Sequence, residues 1–216
     1  MKYNVNEIFD TVQGEGAYTG TPSVFIRLQG CPVGCPWCDT KHTWYVNPDD
    51  KVHSIVDKTE SKSTYAEMSA KAIGDYVKYS PVRHAVLTGG EPCMYDLNPL
   101  CAVLFKHGFA VQIETSGTYV IRAPDSVWVT VSPKINMPGG RHVLSESLQR
   151  ANEIKHPVGK QRDVDNLKTV IGDNCKKLVY LQPLSQSHKA TELCIQQAGL
   201  NNWRISAQLH KYIGVR

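Results

Sequence analysis

Along this chain the spacing of apolar residues switches repeatedly between alternation and helical periodicity. The segment SVFIRLQG (23–30) alternates and reads as a strand feeding a loop. The polar, turn-rich stretch 47–63 reads as a surface excursion. Thr64 is placed to cap a helix, with Glu67 as its capping-box partner and Met68, Ala72, Ile73, Tyr76 and Val77 on one face. HAVLTGGEP (84–92) is a short apolar strand broken by two glycines and a proline. A helix over 97–107, strands over 109–117 and 126–134, a helix over 144–151 and a strand over 153–158 follow. Val164, Leu167 and Ile171 have helical spacing; 177–183 reads as strand, 188–199 as helix and 203–208 as a last strand.

Strands alternating with helices imply βα units and a mainly parallel sheet. Their strand-to-loop ends would gather on one edge, where such folds bind ligands. GCPVGCPWCDT, TGGEP, ETSG, VSPK and LQPLS all fall at such ends. The 216 residues suit one domain spanning 1–216, and no repeat or linker divides them.

The net charge of +4 is modest and no Lys/Arg stripe forms, so nucleic acid is not an expected partner. MKYNVNEIFD at the start carries no apolar leader, and no stretch has the length of a membrane span; a cytoplasmic protein is expected. Seven cysteines, an odd number, argue against a disulfide framework in that compartment. Cys101 and Cys194 fall within apolar helical patterns and read as small buried hydrophobes. Cys31, Cys35 and Cys38 crowd into eight residues.

Their spacing is Cys-x3-Cys-x2-Cys. A structural zinc site needs four ligands, and the nearest fourth is His42, which keeps a Cys3His site open as an alternative. Three thiolates on a cubane iron–sulfur cluster leave one iron open for substrate or cofactor.

At these residues the chain resembles the radical S-adenosylmethionine (SAM) superfamily. The resemblance implies a [4Fe–4S] cluster on Cys31, Cys35 and Cys38. SAM would chelate its open iron and be cleaved by an electron to methionine and a 5′-deoxyadenosyl radical. Thr88-Gly89-Gly90-Glu91-Pro92 matches the superfamily's GGE motif, whose backbone meets SAM's amino group. By the same resemblance Trp37 lies beside the adenine. Cys38, Asp39, Ser132, Pro133, Lys134, Gln182, Pro183, Leu184 and Ser185 complete the implied SAM contacts.

The whole chain, more narrowly, is similar to the 7-carboxy-7-deazaguanine synthases of the 7-deazapurine (queuosine) pathway. The carrying segments are FDTVQGEG (9–16), FIRLQGC (25–31), WCDT (37–40), IETSG (113–117), VSPK (131–134) and QLHK (208–211). The implied fold is α/β, a shortened, irregular partial (β/α) barrel of the radical SAM type. The implied reaction converts 6-carboxy-5,6,7,8-tetrahydropterin to 7-carboxy-7-deazaguanine with loss of ammonia, in a Mg2+-dependent homodimer served by an electron donor such as a flavodoxin. Arg27 would pair with the substrate carboxylate, Val12, Gln13 and Gly14 with the pterin edge, and Glu15 and Glu114 with its guanidine-like side. Thr88 and His210 would also meet substrate, Thr40 would ligate Mg2+, and the chain end at Arg216 would reach the pocket. Two rivals are a glycyl-radical activase and a zinc-stabilised binding module.

Overall fold

The computed structural model describes residues 1–55, 62–173, 175–184 and 187–215. Ser185 and Arg216, and part of the excursion at 47–63, therefore lie outside the described residues. The nine described strands form one open sheet in the order β3-β1-β2-β4-β5-β6-β7-β8-β9. They are β1 Lys2–Val12, β2 Pro22–Leu28, β3 Ala66–Ser69, β4 His84–Gly89, β5 Ala110–Thr115, β6 Trp128–Val131, β7 Glu153–Val158, β8 Leu178–Pro183 and β9 Arg204–Ile205. From β2 to β9 every pairing is parallel, as the βα pattern implies. Only β1 runs against its neighbours β2 and β3.

The helices are α1 Ala70–Val77, α2 Asn98–Lys106, α3 Ser145–Arg150, α4 Gln161–Ile171, α5 His188–Asn201 and α6 Leu209–Ile213. One apolar core joins the helices to one face of the sheet. Val24, Ile26, Leu28, Leu87, Ile113, Val129, Ile154 and Leu181 meet Ile73, Leu100, Leu104, Val164 and Leu167 there. Cys101 and Cys194 are buried in it, as read from sequence. Because side chains alternate along a strand, the residues between these point the other way. On that opposite, concave face stand Arg27, Gln112, Glu114, Thr130, Glu153, Lys155 and Gln182, joined across strands by register and hydrogen bonds.

Two expectations fail for local reasons. Thr64 caps no helix: residues 66–69 pair with 2–5 as β3, and Ser69 is the cap, its hydroxyl accepting from Ala72 N at 3.1 Å. Glu67 instead meets Lys51 at 2.8 Å. The final strand is only two residues long, after which Ser206 turns inward and donates to Gln182. No described helix is long and apolar enough to cross a membrane.

Candidate active site

The carboxyl ends of β2 and β4 to β8 open onto a cavity of about 260 Å³. A second, of about 160 Å³, lies under β1 and β2. Glu15, Arg27, Asp39, Thr40, Thr88 and Glu114 border both, so the two form neighbouring chambers with a shared wall.

Cys31, Cys35 and Cys38 all line the larger chamber and carry no disulfide. Among the described residues no three His, Cys, Asp or Glu side chains close tightly enough for a single metal ion. Thiolates facing one chamber are instead the donor set for a cluster, whose ligands sit on separate corners. The loop is held open from three sides. Cys31 N donates to Trp44 O at 2.9 Å, Gly139 N to Val33 O at 3.1 Å, and Glu91 N to Gly30 O at 2.8 Å.

The paired glycines are needed for backbone packing. A Cβ on Gly90 would overlap the Gly30 carbonyl, and one on Gly89, whose φ is +129°, would overlap Leu28. The Gly90 N–H is spent on Leu28 O at 2.8 Å. An amino group donates, so it is the carbonyls of this backbone, not its amides, that suit SAM's amino group. Glu91 is itself buried and acts as a clamp, accepting from Cys93 N, Thr115 Oγ1 and Ser116 N at 2.7–2.9 Å.

Of the SAM contacts expected from sequence, Trp37, Cys38, Asp39, Gly89, Gly90, Ser132, Lys134, Gln182, Pro183 and Leu184 line the larger chamber. Pro133 does not. Burial pushes the Lys134 ammonium down from its usual range.

The smaller chamber gathers Val12, Gln13, Glu15, Arg27, Thr40, Thr88, Glu114 and His210. Gly14 is absent from its wall: it packs so closely on His210 that a Cβ would overlap the imidazole. Gln13 is buried, and its amide donates to Gln112 at 3.1 Å and Glu114 at 3.3 Å while its side-chain oxygen accepts from Glu15 N at 3.1 Å. Its backbone is tied to Thr21 and Gly20. Gln13 thus lines the chamber while tying its two walls together. The Gln-Gly-Glu-Gly segment ties β1 to the far strands. Gly16 takes the left-handed φ of +67°, with Glu153 where a Cβ would stand.

Arg27 Nε donates to Glu7 at 2.6 Å, a cross-strand pair buried against Phe9. The residue nevertheless borders both chambers. Glu7 leaves the end-on pair of guanidinium nitrogens as the fork for a further anion.

Lys155 is the main residue that sequence reasoning missed. Its ammonium is buried on the concave face, 2.5 Å from Glu15 and 2.7 Å from Glu114. Burial pushes Glu15 upward, but the Lys155 charge and the Gln208 amide outweigh it and hold the carboxyl at about 2. Glu114 is pushed up to about 7 by burial, with Lys155 only partly offsetting that and Glu15 adding repulsion. Lys155 is itself raised: burial opposes its charge, and the two carboxylates more than compensate. The clue was in EIKHPV, where Glu153, Lys155 and Pro157 alternate with Ile154 and Val158.

The C-terminal helix closes the smaller chamber: Leu209 N donates to Gly14 O and Gln208 Nε2 to Glu15, both at 2.9 Å. Burial lowers the His210 imidazole below its ordinary value, partly countered by Glu15.

The chain is similar to known proteins over its whole length. Residues 25–127 match the Radical SAM superfamily model. The 7-carboxy-7-deazaguanine synthase of Escherichia coli (strain K12) is 51% identical over 100% of both chains. That of Buchnera aphidicola subsp. Schizaphis graminum is 45% identical, again over 100% of both. The crystal structure of QueE from Escherichia coli superposes with a TM-score of 0.92 at 50% identity, covering 97% of this chain and 95% of that one. Whole-length identity at this level, with the cysteine loop and the glycine pair at the carboxyl ends of the parallel strands and the Gln-Gly-Glu-Gly segment crossing the face beneath them, places this chain in the 7-carboxy-7-deazaguanine synthase family of radical SAM proteins.

Proposed function

We propose that the chain contracts 6-carboxy-5,6,7,8-tetrahydropterin to 7-carboxy-7-deazaguanine, with SAM in the cluster chamber and the pterin in the smaller one. The observation that carries this reading is the shared wall of Glu15, Arg27, Asp39, Thr40, Thr88 and Glu114. When bound, the cluster and SAM supply the hydrogen-abstracting radical. The chain's residues hold the carbon that must lose hydrogen at the boundary between the chambers.

Arg27 receives the substrate carboxylate on its outer guanidinium fork while Glu7 fixes the inner side. Thr40 offers its hydroxyl to Mg2+, a hard cation that takes oxygen ligands and keeps several waters. The carboxylates of Glu15 and Glu114, held apart in acidity by Lys155, face the donor-rich guanidine-like edge of the ring. The buried trio of Lys155, Glu15 and Glu114 keeps water from that side of the substrate. Residues 1–216 act as a single cytoplasmic domain and pair as a homodimer, and a small electron donor of flavodoxin type reduces the cluster.

Arg27→Ala tests the pose. It should still bind SAM and cleave it slowly, yet lose substrate affinity by about 2–5 kcal/mol. Parental affinity together with parental product formation would remove Arg27 from the substrate site.

A further inference from the structure

The segment following the cluster cysteines folds back over them. Gly30 N donates to Thr43 O at 2.7 Å and Cys31 N to Trp44 O at 2.9 Å. The amide of Gln29 holds the same segment by donating to His42 O at 3.0 Å and Tyr45 O at 2.8 Å. Gln29 is fully buried, and its own oxygen accepts from Asn6 at 2.6 Å. The backbone from which the Trp44 ring projects is thus held in place. From there the Trp44 indole N–H reaches Cys38 Sγ, at 3.4 Å, with the ring on the wall of the cluster chamber. Lys41 stands over the same ring, its ammonium 5.8 Å from the centroid.

We infer that Trp44 tunes the iron–sulfur cluster by donating its indole N–H to the Cys38 sulfur. The inference rests on the assignment of Cys38 as a cluster ligand. An indole nitrogen can only donate, and a cluster thiolate is the stronger acceptor the more negative charge it carries. The hydrogen bond therefore strengthens when the cluster gains an electron, which favours the reduced state and raises the reduction potential. A cation over the indole face draws electron density from the ring and makes its N–H a better donor. Trp44 is a positioning residue in this scheme, acting on the cofactor through its ligand. Thr40 Oγ1 lies 3.6 Å from the same sulfur, a longer contact from a group assigned to Mg2+.

The test uses reconstituted holoenzyme and anaerobic redox titration followed by electron paramagnetic resonance. Trp44→Phe keeps the ring and removes the donor. With iron content unchanged, its reduced-to-oxidised ratio at a fixed potential should fall up to tenfold, about 59 mV for one electron. Lys41→Gln should shift the ratio in the same direction by less. Pulsed resonance on the otherwise unaltered enzyme, grown with indole-15N tryptophan, should show a nitrogen coupling to the reduced cluster. That coupling should survive Trp37→Phe and vanish in Trp44→Phe. An unchanged midpoint in a fully loaded Trp44→Phe enzyme overturns the inference. If Trp44→Phe loads poorly, the labelled parent and Trp37→Phe decide alone, and absence of the coupling there overturns it too. Failure of the parent to form a cluster would instead overturn the family assignment of the cysteines.

Discussion

Replacing Lys155 by Met removes a buried cation that faces two buried carboxylates. The side chains of Lys155, Glu15 and Glu114 are only 6%, 17% and 14% exposed, so little solvent screens them. In the parent, Glu15 at about 2 and Glu114 at about 7 lie on opposite sides of 4.5. At neutral pH and above their contributions to stability, about 3 kcal/mol each, have opposite sign and largely offset. Glu15, lowered on folding, stabilises above 4.5 and loses that contribution as pH falls toward 2. Glu114, raised on folding, is most favourable below 4.5 and loses that contribution as pH rises through 7. Without Lys155 both carboxyls are raised, so both weaken the fold as pH rises. Lys155→Met should therefore cost about 3–5 kcal/mol at pH 8 and about 2 kcal/mol less at pH 5. Anaerobic urea unfolding at the two pH values reads this directly. Adding Glu15→Gln to Lys155→Met should recover part of the loss at pH 8. A penalty below about 1 kcal/mol, or one independent of pH, would refute the argument that this trio is a coupled, buried ion cluster.

Gly90→Ala should lower iron per chain several-fold after reconstitution, because its Cβ would overlap the Gly30 carbonyl where the cluster loop begins; normal loading would show that the loop can shift. Thr40→Ala should keep its iron but lose most of its response to added Mg2+, read as turnover against magnesium concentration, and a parental response would exclude Thr40 as a ligand.

Most of the sheet was legible because its strands alternate apolar residues, which face the core, with polar ones, and stand between segments of helical spacing. The cluster loop was legible from cysteine spacing taken together with the resemblance carried by the motifs that follow it. β1 was not, since a register shift between Val5 and Glu7 breaks its alternation and places the charged Glu7 in the interior against Arg27. β3 is four residues long and carries helix-capping letters, so local signals pointed to the wrong element. Lys155 escaped because a lysine in a strand ordinarily marks solvent; only the tertiary fold brings it to Glu15, 140 positions away. The partners of Gln13 were hidden for the same reason, Gln112 and Glu114 lying on a distant strand.

The most direct test of the account is a product assay. Reconstituted protein is incubated anaerobically with SAM, a low-potential reductant, Mg2+ and 6-carboxy-5,6,7,8-tetrahydropterin, and the products are resolved by mass. The account predicts 7-carboxy-7-deazaguanine with release of ammonia, from the parent and not from Cys35→Ala. Cleavage of SAM to 5′-deoxyadenosine with the pterin recovered unchanged would contradict it.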